Sequence, residues 1–539
     1  MQLPSMKYAE RYSKGTQVRF RGLKHRLGAG DGEIWDMQNM TGDHYPLLAT
    51  RAGRKKYKTL QNPGGLFCLD GLCWVEDGTF YYKGEAKGQV SAGLKRFAAI
   101  GKYIIILPDK CYYNIQTDTF GSLESRWEGG SLTFGNGKLF GEDADANMVQ
   151  AEGTEWSAYF REGDAVTIAG CRIHPENNQT AIIRQIDGDK LYFYENIFTL
   201  EDNQAYTEEG ELTVSRDVPD LLFACENENR LWGCTESTIY ASKLGDIFNW
   251  NVFDGLASDS YAVESGSAGK LTGCISYRGY PTFLKEEHIY KIYGTLPSNF
   301  EMMGSASLGL MDGSAQSLAV AGETLFYLGC NGIMAYTGGI PQSVSKDFGT
   351  MKFRNAVAGS DGMKYYVSMQ EENGDYWLYV YDSQTGMWHK EDRKQVTHFA
   401  GWKGRLYMLD SNGEIWVTGE PEALAGETEE EDPFEWFAEF ADFTEQEPNK
   451  KNVGRLQIRI ELEPGATAQV WILYDSAGDW IPAGEEMHAE AKRSYVLPLV
   501  PRRCDHCRIK ITGTGQGRIH SLSREYYIGS ELKSRPGRN

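Results

Sequence analysis

Residues 403–419 read KGRLYMLDSNGEIWVTG: an apolar run, a polar Asp-Ser-Asn-Gly turn and a second short apolar run. That pattern predicts a β-hairpin, because Asn and Gly accept the positive φ of tight turns while the flanking residues suit strands. The fold depends on whether this hairpin stands alone, and it does not. Similar stretches are LCWVEDGTFYYKG (72–84), YIIILPDKCYYNI (103–115), RLWGCTESTIYAS (230–242), PTFLKEEHIYKIYG (281–294), TLFYLGCNGIMAYTGG (324–339) and YYVSMQEENGDYWLYVYD (365–382). Most follow a further short strand, such as KLTGCIS (270–276) or THFAGWK (397–403). From the third copy on, the turns fall about 40–50 residues apart, the spacing of four-stranded propeller blades. One blade alone leaves an apolar face exposed, and radial stacking buries it. The fold class expected is all-β, with a seven-bladed β-propeller built from the seven copies. No copy carries a WD40 or kelch signature, so the residues alone also allow an irregular all-β chain with many hairpins.

The gap between the second and third copies is too long for one blade. It holds YFREGDAVTIAGCRIHPENNQTAIIRQIDGDKLYFYENIFT (159–199), whose short strands and Asn-Asn and Asp-Gly turns suit a small barrel inserted in a propeller loop. After the seventh copy, GEPEALAGETEEEDPFEWFAEFADFTEQEPNKKN (419–452) opens as a solvated acidic linker and then offers FEWFAEFADF, suited to dock as an edge strand. Beyond it the chain alternates like an antiparallel sandwich. The expected division is an N-terminal extended arm at 1–60, blades 1–2 at 61–129, the inserted β-barrel at 130–217 and blades 3–7 at 218–419. An acidic linker at 420–449, a C-terminal antiparallel β-sandwich at 450–530 and a loose tail at 531–539 follow.

The 539 residues are too many for one ordinary core, and two to four domains are expected. A net charge of −20 argues against a basic groove that wraps nucleic acid, but leaves open a passage through which DNA slides without sticking. No stretch approaches the apolar length of a membrane span, and the first residues lack a signal-peptide core, so assembly in the cytoplasm is expected. The ten cysteines are scattered singly along strands, apart from Cys504 and Cys507, and read as small buried apolar residues.

Chemistry is sparse. Cys504, His506 and Cys507 have no second pair at zinc spacing, and strand alternation predicts the two thiols on opposite faces. Glu142, Asp143 and Asp145 cluster like a calcium loop but lack its Gly and its closing Glu, which favours a solvated loop. YDSAGDWIP (474–482) only loosely matches a sialidase Asp-box, and YDSQTGMWHKED (381–392) is accounted for by a turn from Asp382 to Gly386 with Trp388 packed on a neighbouring blade. No G-x-S-x-G, P-loop or H-E-x-x-H occurs, and histidines such as His288 and His389 sit singly on strands. No catalytic, cofactor-binding or metal-ligating residue is assigned, no cofactor is expected, and the chain is not read as an enzyme.

The segment VRFRGLKHRLGAGDGEIWDMQNMTGDHYPLLATRAGRKKY (18–57) is not propeller-like. It resembles the opening of tail nozzle proteins of short-tailed bacteriophages, including the packaged-DNA stabilisation group, in which an Asn-Met segment precedes a proline and an Arg-x-Gly. The matching residues are Asn39, Met40, Pro46, Arg51 and Gly53. RLWGCTESTIYASKLGDIFNW (230–250) and GYPTFLKEEHIYKIYGTLPSNFEMMGSASLGLMDGSAQSLA (279–319) are similar to their middle blades. YVLPLVPRRCDHCRIKITGTGQGRIHSLSREYYIGS (495–530) is similar to the sheet that ends many phage structural proteins. The barrel and the acidic linker have no placed counterpart.

The resemblance implies a structural virion protein of the tail, assembled in the host bacterial cytoplasm. It implies a homo-oligomeric ring, a hexamer, below the portal and adaptor and beside other tail proteins. That ring retains packaged DNA and serves as the conduit for its ejection, without sequence-specific contact. Arg51, Arg54, Lys55 and Lys56 of the arm either reach a neighbouring subunit or acidic patches, or belong to a strand that closes the propeller. The alternatives are a tail-tip or baseplate component, or a host-receptor-binding propeller with Trp232, Tyr280 and Trp402 at its mouth. A carbohydrate-active enzyme ranks last.

Overall fold

The computed structural model describes residues 11–138, 145–194, 196–200, 202, 204–418, 429–488, 491–500 and 502–528. Glu142, Asp143, the tail at 531–539 and the first part of the acidic linker, 419–428, lie outside the described residues. The chain divides into two compact units, Asn62–Ala315 and the combination of Met1–Gln61 with Gln316–Asn539. Both are built almost wholly of strands, and no helix of the described residues is long and apolar enough to cross a membrane.

In the unit of Asn62–Ala315, four antiparallel four-stranded sheets follow the chain. They are Pro63–Cys68 to Glu85–Gln89, Arg96–Ile100 to Thr119–Ser122, Phe223–Asn227 to Tyr261–Glu264, and Gly273–Tyr277 to Glu301–Ala306. Consecutive sheets stack face to face, and Tyr103–Leu107 shows why its sequence is a plain apolar run. Ile104 and Ile106 enter a core with Val75 and Phe80 of the first sheet. Ile105 and Leu107, on the opposite face, enter a core with Leu231 of the third. A strand buried on both faces loses the polar half of its alternation, and each such side chain contributes about 1.5–3 kcal/mol.

Between the second and third sheets lies a closed six-stranded barrel, in the order Ser125–Lys138, Asp145–Gln150, Lys190–Phe193, Thr180–Asp187, Ala165–Ala169 and Tyr206–Arg216. Trp127, Phe134, Val149, Trp156, Ile183, Leu191 and Val214 fill it. It begins at Ser125, five residues before the sequence-based boundary of 130, because the first barrel strand runs on directly from the second sheet. A bulge between Gly129 and Ser131 bends that long strand. A side chain at Gly129 would meet the Trp127 ring at 2.2 Å.

The other unit holds three more such sheets: Ala319–Ala321 to Gln342–Ser343, Phe353–Ser360 to Met387–Lys390, and Val396–Trp402 to Glu414–Thr418. The hairpin of Arg405–Asp410 and Glu414–Thr418 is the middle of the last one. Its fourth strand is Arg54–Thr59, and Glu429–Glu430 pairs on the outer side of that. Trp388 packs on Phe348 at 4.8 Å, and Gly386 closes its turn onto the Asp382 carbonyl at 2.9 Å, as the sequence indicates.

Two further sheets complete this unit. One runs Met40–Thr41, Leu48–Thr50, Gly517–Ile528, Lys451–Leu462, Arg493–Pro498, with Arg11–Gln17 and Arg503–Cys504 added at its side. The other runs Ile34–Gln38, Glu435–Phe440, Cys507–Thr514, Thr467–Tyr474, Ile481–Met487. Ala468, Val470, Ile472 and Tyr474 are buried and their neighbours are not, the alternation of a sheet covered on one face.

Three expectations are corrected. The arm at 1–60 is no free extension: from Arg11 on, it supplies strands to both C-terminal sheets and to the seventh sheet. Its strands are two to seven residues long, too short to show a period. The linker at 420–449 contains an interior strand, Glu435–Phe440, between Ile34–Gln38 and Cys507–Thr514. Trp436, Ala438 and Phe440 point inward, and the acids are its outer face. Finally, Cys504 and Cys507 are both buried, because a turn at 505–506 places them in different strands.

Candidate functional site

The polar centre of the unit that combines Met1–Gln61 with Gln316–Asn539 is built where Arg51 and Arg54 enter the fold. The strand Arg54–Thr59 is aligned by pairing with Glu414–Thr418, while the Arg51 backbone N–H is held by the Asn39 carbonyl at 3.0 Å, and both guanidinium groups are buried. Arg51 Nε donates to Asn39 Oδ1 at 2.8 Å, while its two terminal nitrogens bind the Glu431 carboxylate side by side at 2.7 and 2.8 Å. Arg51 Nη1 also donates to the Ala52 carbonyl at 3.0 Å, and the Phe434 ring lies under the guanidinium at 4.1 Å. Arg54 Nη1 donates to Asp392 Oδ2 at 2.6 Å, and Nη2 to Glu391. Its backbone N–H donates to Glu431 Oε2 at 3.0 Å. Asn39 in turn binds the Glu435 carbonyl through its amide at 2.7 Å.

Two buried cations therefore face three carboxylates. Burial pushes the Asp392 carboxyl up, but the Arg54 and Arg51 charges outweigh it and hold it below the ordinary value. Glu431 follows the same balance: burial raises it, and the Arg51 hydrogen bond with the Arg54 and Arg51 charges lowers it. For Arg54, burial alone would favour loss of the proton, yet Asp392, Glu391 and Glu431 raise its pKa instead. Both guanidinium groups bind protein atoms through both of their terminal nitrogens. The arrangement is a clamp, joining the N-terminal segment, the sixth and seventh sheets and the strand that opens the C-terminal sheets.

Lys55 and Lys56 pair with the acidic stretch, Lys56 with Glu429 at 2.5 Å and Lys55 with Glu430 at 3.7 Å. Arg54–Thr59 is thus a strand of the seventh sheet, and its lysines pair with acidic residues of the same chain. Glu391, Asp392 and Glu431 were not singled out by sequence, although HKED (389–392) and the acidic run contain them.

A second polar junction fixes the barrel. Asp164 pairs with Arg216 and accepts from Asn249 Nδ2 at 3.0 Å, while Asn249 Oδ1 accepts from the Ala165 N–H at 2.9 Å. Arg216 also reaches the Leu123 carbonyl at 3.3 Å and lies over the Phe248 ring at 4.9 Å. Asp164, Arg216 and Asn249 are all buried.

The residues weighed by sequence for binding are dispersed. Trp232 is buried between the third and fourth sheets, against Phe300 at 5.2 Å, and lies at no mouth. Tyr280 is part-exposed and packs on Tyr293 at 4.7 Å, and Trp402 packs on Tyr407 at 6.2 Å. His506 is beside Ser476 at 2.9 Å, at the surface turn that precedes buried Cys507. His389 is buried, and burial together with the Lys364 charge drives its pKa down to about 4, against the opposing pull of Asp43 and Asp382. Among the described residues, no group of three or more His, Cys, Asp or Glu is placed to hold a metal ion.

No family model matches the chain, and no curated protein matches it. Among solved structures, the chain is similar to BamB from Moraxella catarrhalis, with 12% identity, a TM-score of 0.33, and 68% of this chain and 97% of that one covered. It is also similar to an exo-beta-1,3-galactanase from Phanerochaete chrysosporium, with 9% identity, a TM-score of 0.22, and 56% and 94% covered. A third is Trypanosoma rangeli sialidase, with 9% identity, a TM-score of 0.21, and 96% of both chains covered.

Proposed function

We propose that the chain is a non-enzymatic structural protein of a bacteriophage tail, the nozzle ring that retains packaged DNA and conducts it at ejection. In this reading the seven sheets are the blades of one β-propeller and the two C-terminal sheets face each other as a sandwich. Propeller closure is supported by Arg54–Thr59: it completes the seventh sheet, and only residues 60–62 separate it from Pro63–Cys68 of the first. A strand lent to the last blade by the segment preceding the first locks a ring of blades, because neither end can peel away alone.

The observation that carries the functional reading is the place of Asn39 and Arg51, two of the five arm residues that match the nozzle proteins. They form the centre of a buried clamp that binds three parts of the chain together. Such a clamp suits a part that must keep its shape under load. A net charge of −20 suits a conduit that DNA passes without adhering. Copies assemble as a homo-oligomeric ring against the portal, adaptor and other tail proteins, within the bacterial cytoplasm and then the virion.

Light scattering on the purified chain, alone and with a tail adaptor protein, tests this. A discrete multiple of 60.5 kDa, near six, supports the reading. A monomer that never joins tail proteins contradicts it.

A further inference from the structure

The loop at 242–260, between the third and fourth strands of the third sheet, is 19 residues long, far beyond what the turn requires. It is nevertheless tightly held. Trp250 and Val252 are buried, Arg230 donates to the carbonyls of Ser242 at 2.9 Å and Ala257 at 2.8 Å, and Asn249 is tied to Asp164 of the barrel. Within this pinned loop Phe253 is left 61% exposed. Across from it, at the end of the barrel strand Lys190–Phe193, Tyr194 is also 61% exposed. The Arg184 guanidinium lies over the Tyr194 ring at 5.8 Å, and two exposed aromatic side chains bordering one recess give a surface on which an apolar ring can stack.

The space they border is a cleft of about 260 Å³ between the loop and the barrel, lined also by Thr180, Ile182, Asn251 and Asp254. That volume lies just under the range of about 300–1,000 Å³ for drug-sized ligands, so its occupant is small. The lining mixes two kinds of group. Aromatic faces stack against a flat apolar surface, the Asn251 amide brings donors and an acceptor and the Asp254 carboxylate an acceptor, and the Thr180 hydroxyl, paired with that of Thr167 at 2.9 Å, keeps a further lone pair for a neutral hydroxyl group. A ligand with an apolar ring face and a rim of hydroxyls satisfies both.

We propose that this cleft binds carbohydrate, one or two pyranose rings stacked on Tyr194 or Phe253, with their hydroxyls held by Asn251, Asp254 and Thr180. The site is independent of the tail reading, since it lies wholly within Asn62–Ala315 and needs no second copy. Pre-organisation is its main asset: the loop is ordered before the sugar arrives, so little is lost on binding.

The test is an array of bacterial and eukaryotic oligosaccharides probed with the full chain, followed by saturation-transfer NMR with the free oligosaccharides that score. The native chain is expected to bind at least one, with half-saturation in about the tenth-millimolar to millimolar range. Tyr194→Ala combined with Phe253→Ala, exposed changes that leave the cores intact, should weaken that binding at least tenfold. Asn251→Ala with Asp254→Ala should do the same. Met303→Ala, an exposed apolar change elsewhere in the same unit, should leave it unchanged. Absence of binding to every oligosaccharide at millimolar concentration overturns the proposal, as does binding that survives all the cleft substitutions.

Discussion

Replacing Arg54 by alanine removes the cation that satisfies Glu391 and shares Asp392 with Arg51. Asp392 keeps Arg51 at 3.6 Å and Lys394 nearby, but Glu391 is left buried with no cation in the clamp. Breaking one side of a buried pair costs about 3–5 kcal/mol, and the partners Asp392 retains favour the lower end. The loss falls first on the strand Arg54–Thr59, which the clamp anchors. Hydrogen exchange of its amides reads local opening directly, and about 3 kcal/mol corresponds to roughly a hundredfold faster exchange. Adding Glu391→Gln and Asp392→Asn to the substitution removes the stranded charges and should recover most of the protection. A single Arg54→Ala variant whose strand exchanges less than about fivefold faster would refute the view that the clamp holds this strand in the seventh sheet.

Two further outcomes follow from buried groups elsewhere. His389 has its pKa lowered to about 4 in the fold, so the unfolded chain binds the proton first; stability is full above pH 6.5 and falls by about 3 kcal/mol as pH drops to 4. His389→Gln should flatten that acid limb in pH-dependent thermal unfolding, and an unchanged limb would contradict the assignment. At Gly309 an added Cβ would sit 2.0 Å from the Lys285 carbonyl, whereas at Gly339 it would meet nothing within 4 Å. Gly309→Ala should lower the unfolding temperature by the equivalent of about 1–3 kcal/mol or more, with Gly339→Ala near native, and equal melting of the two would count against the packing described.

The sheets were legible in the sequence because their turns are local. Asp77 and Gly78 both take positive φ, 49° and 72°, which is the chemistry an Asp-Gly turn advertises. The barrel was legible too, since it interrupts the blade spacing. What escaped reading depends on distance along the chain. Arg54 meets Glu391 across 337 residues and Arg51 meets Glu431 across 380, and no local pattern marks such a pair. At Glu435–Phe440 the alternating Trp436, Ala438 and Phe440 mark a strand suited to a sheet edge, and pairing partners far along the chain on both sides make it interior. The cleft beside Tyr194 and Phe253 was missed for the same reason, as it joins barrel and loop residues about 60 positions apart.

The tail reading stands or falls on assembly, and cryo-electron microscopy of the purified chain with an adaptor protein examines it most directly. The expected images are closed rings around an open axial hole, each subunit showing one propeller of seven blades with the barrel protruding. Isolated 60.5 kDa particles under every condition, or subunits whose seven sheets do not close, would contradict it.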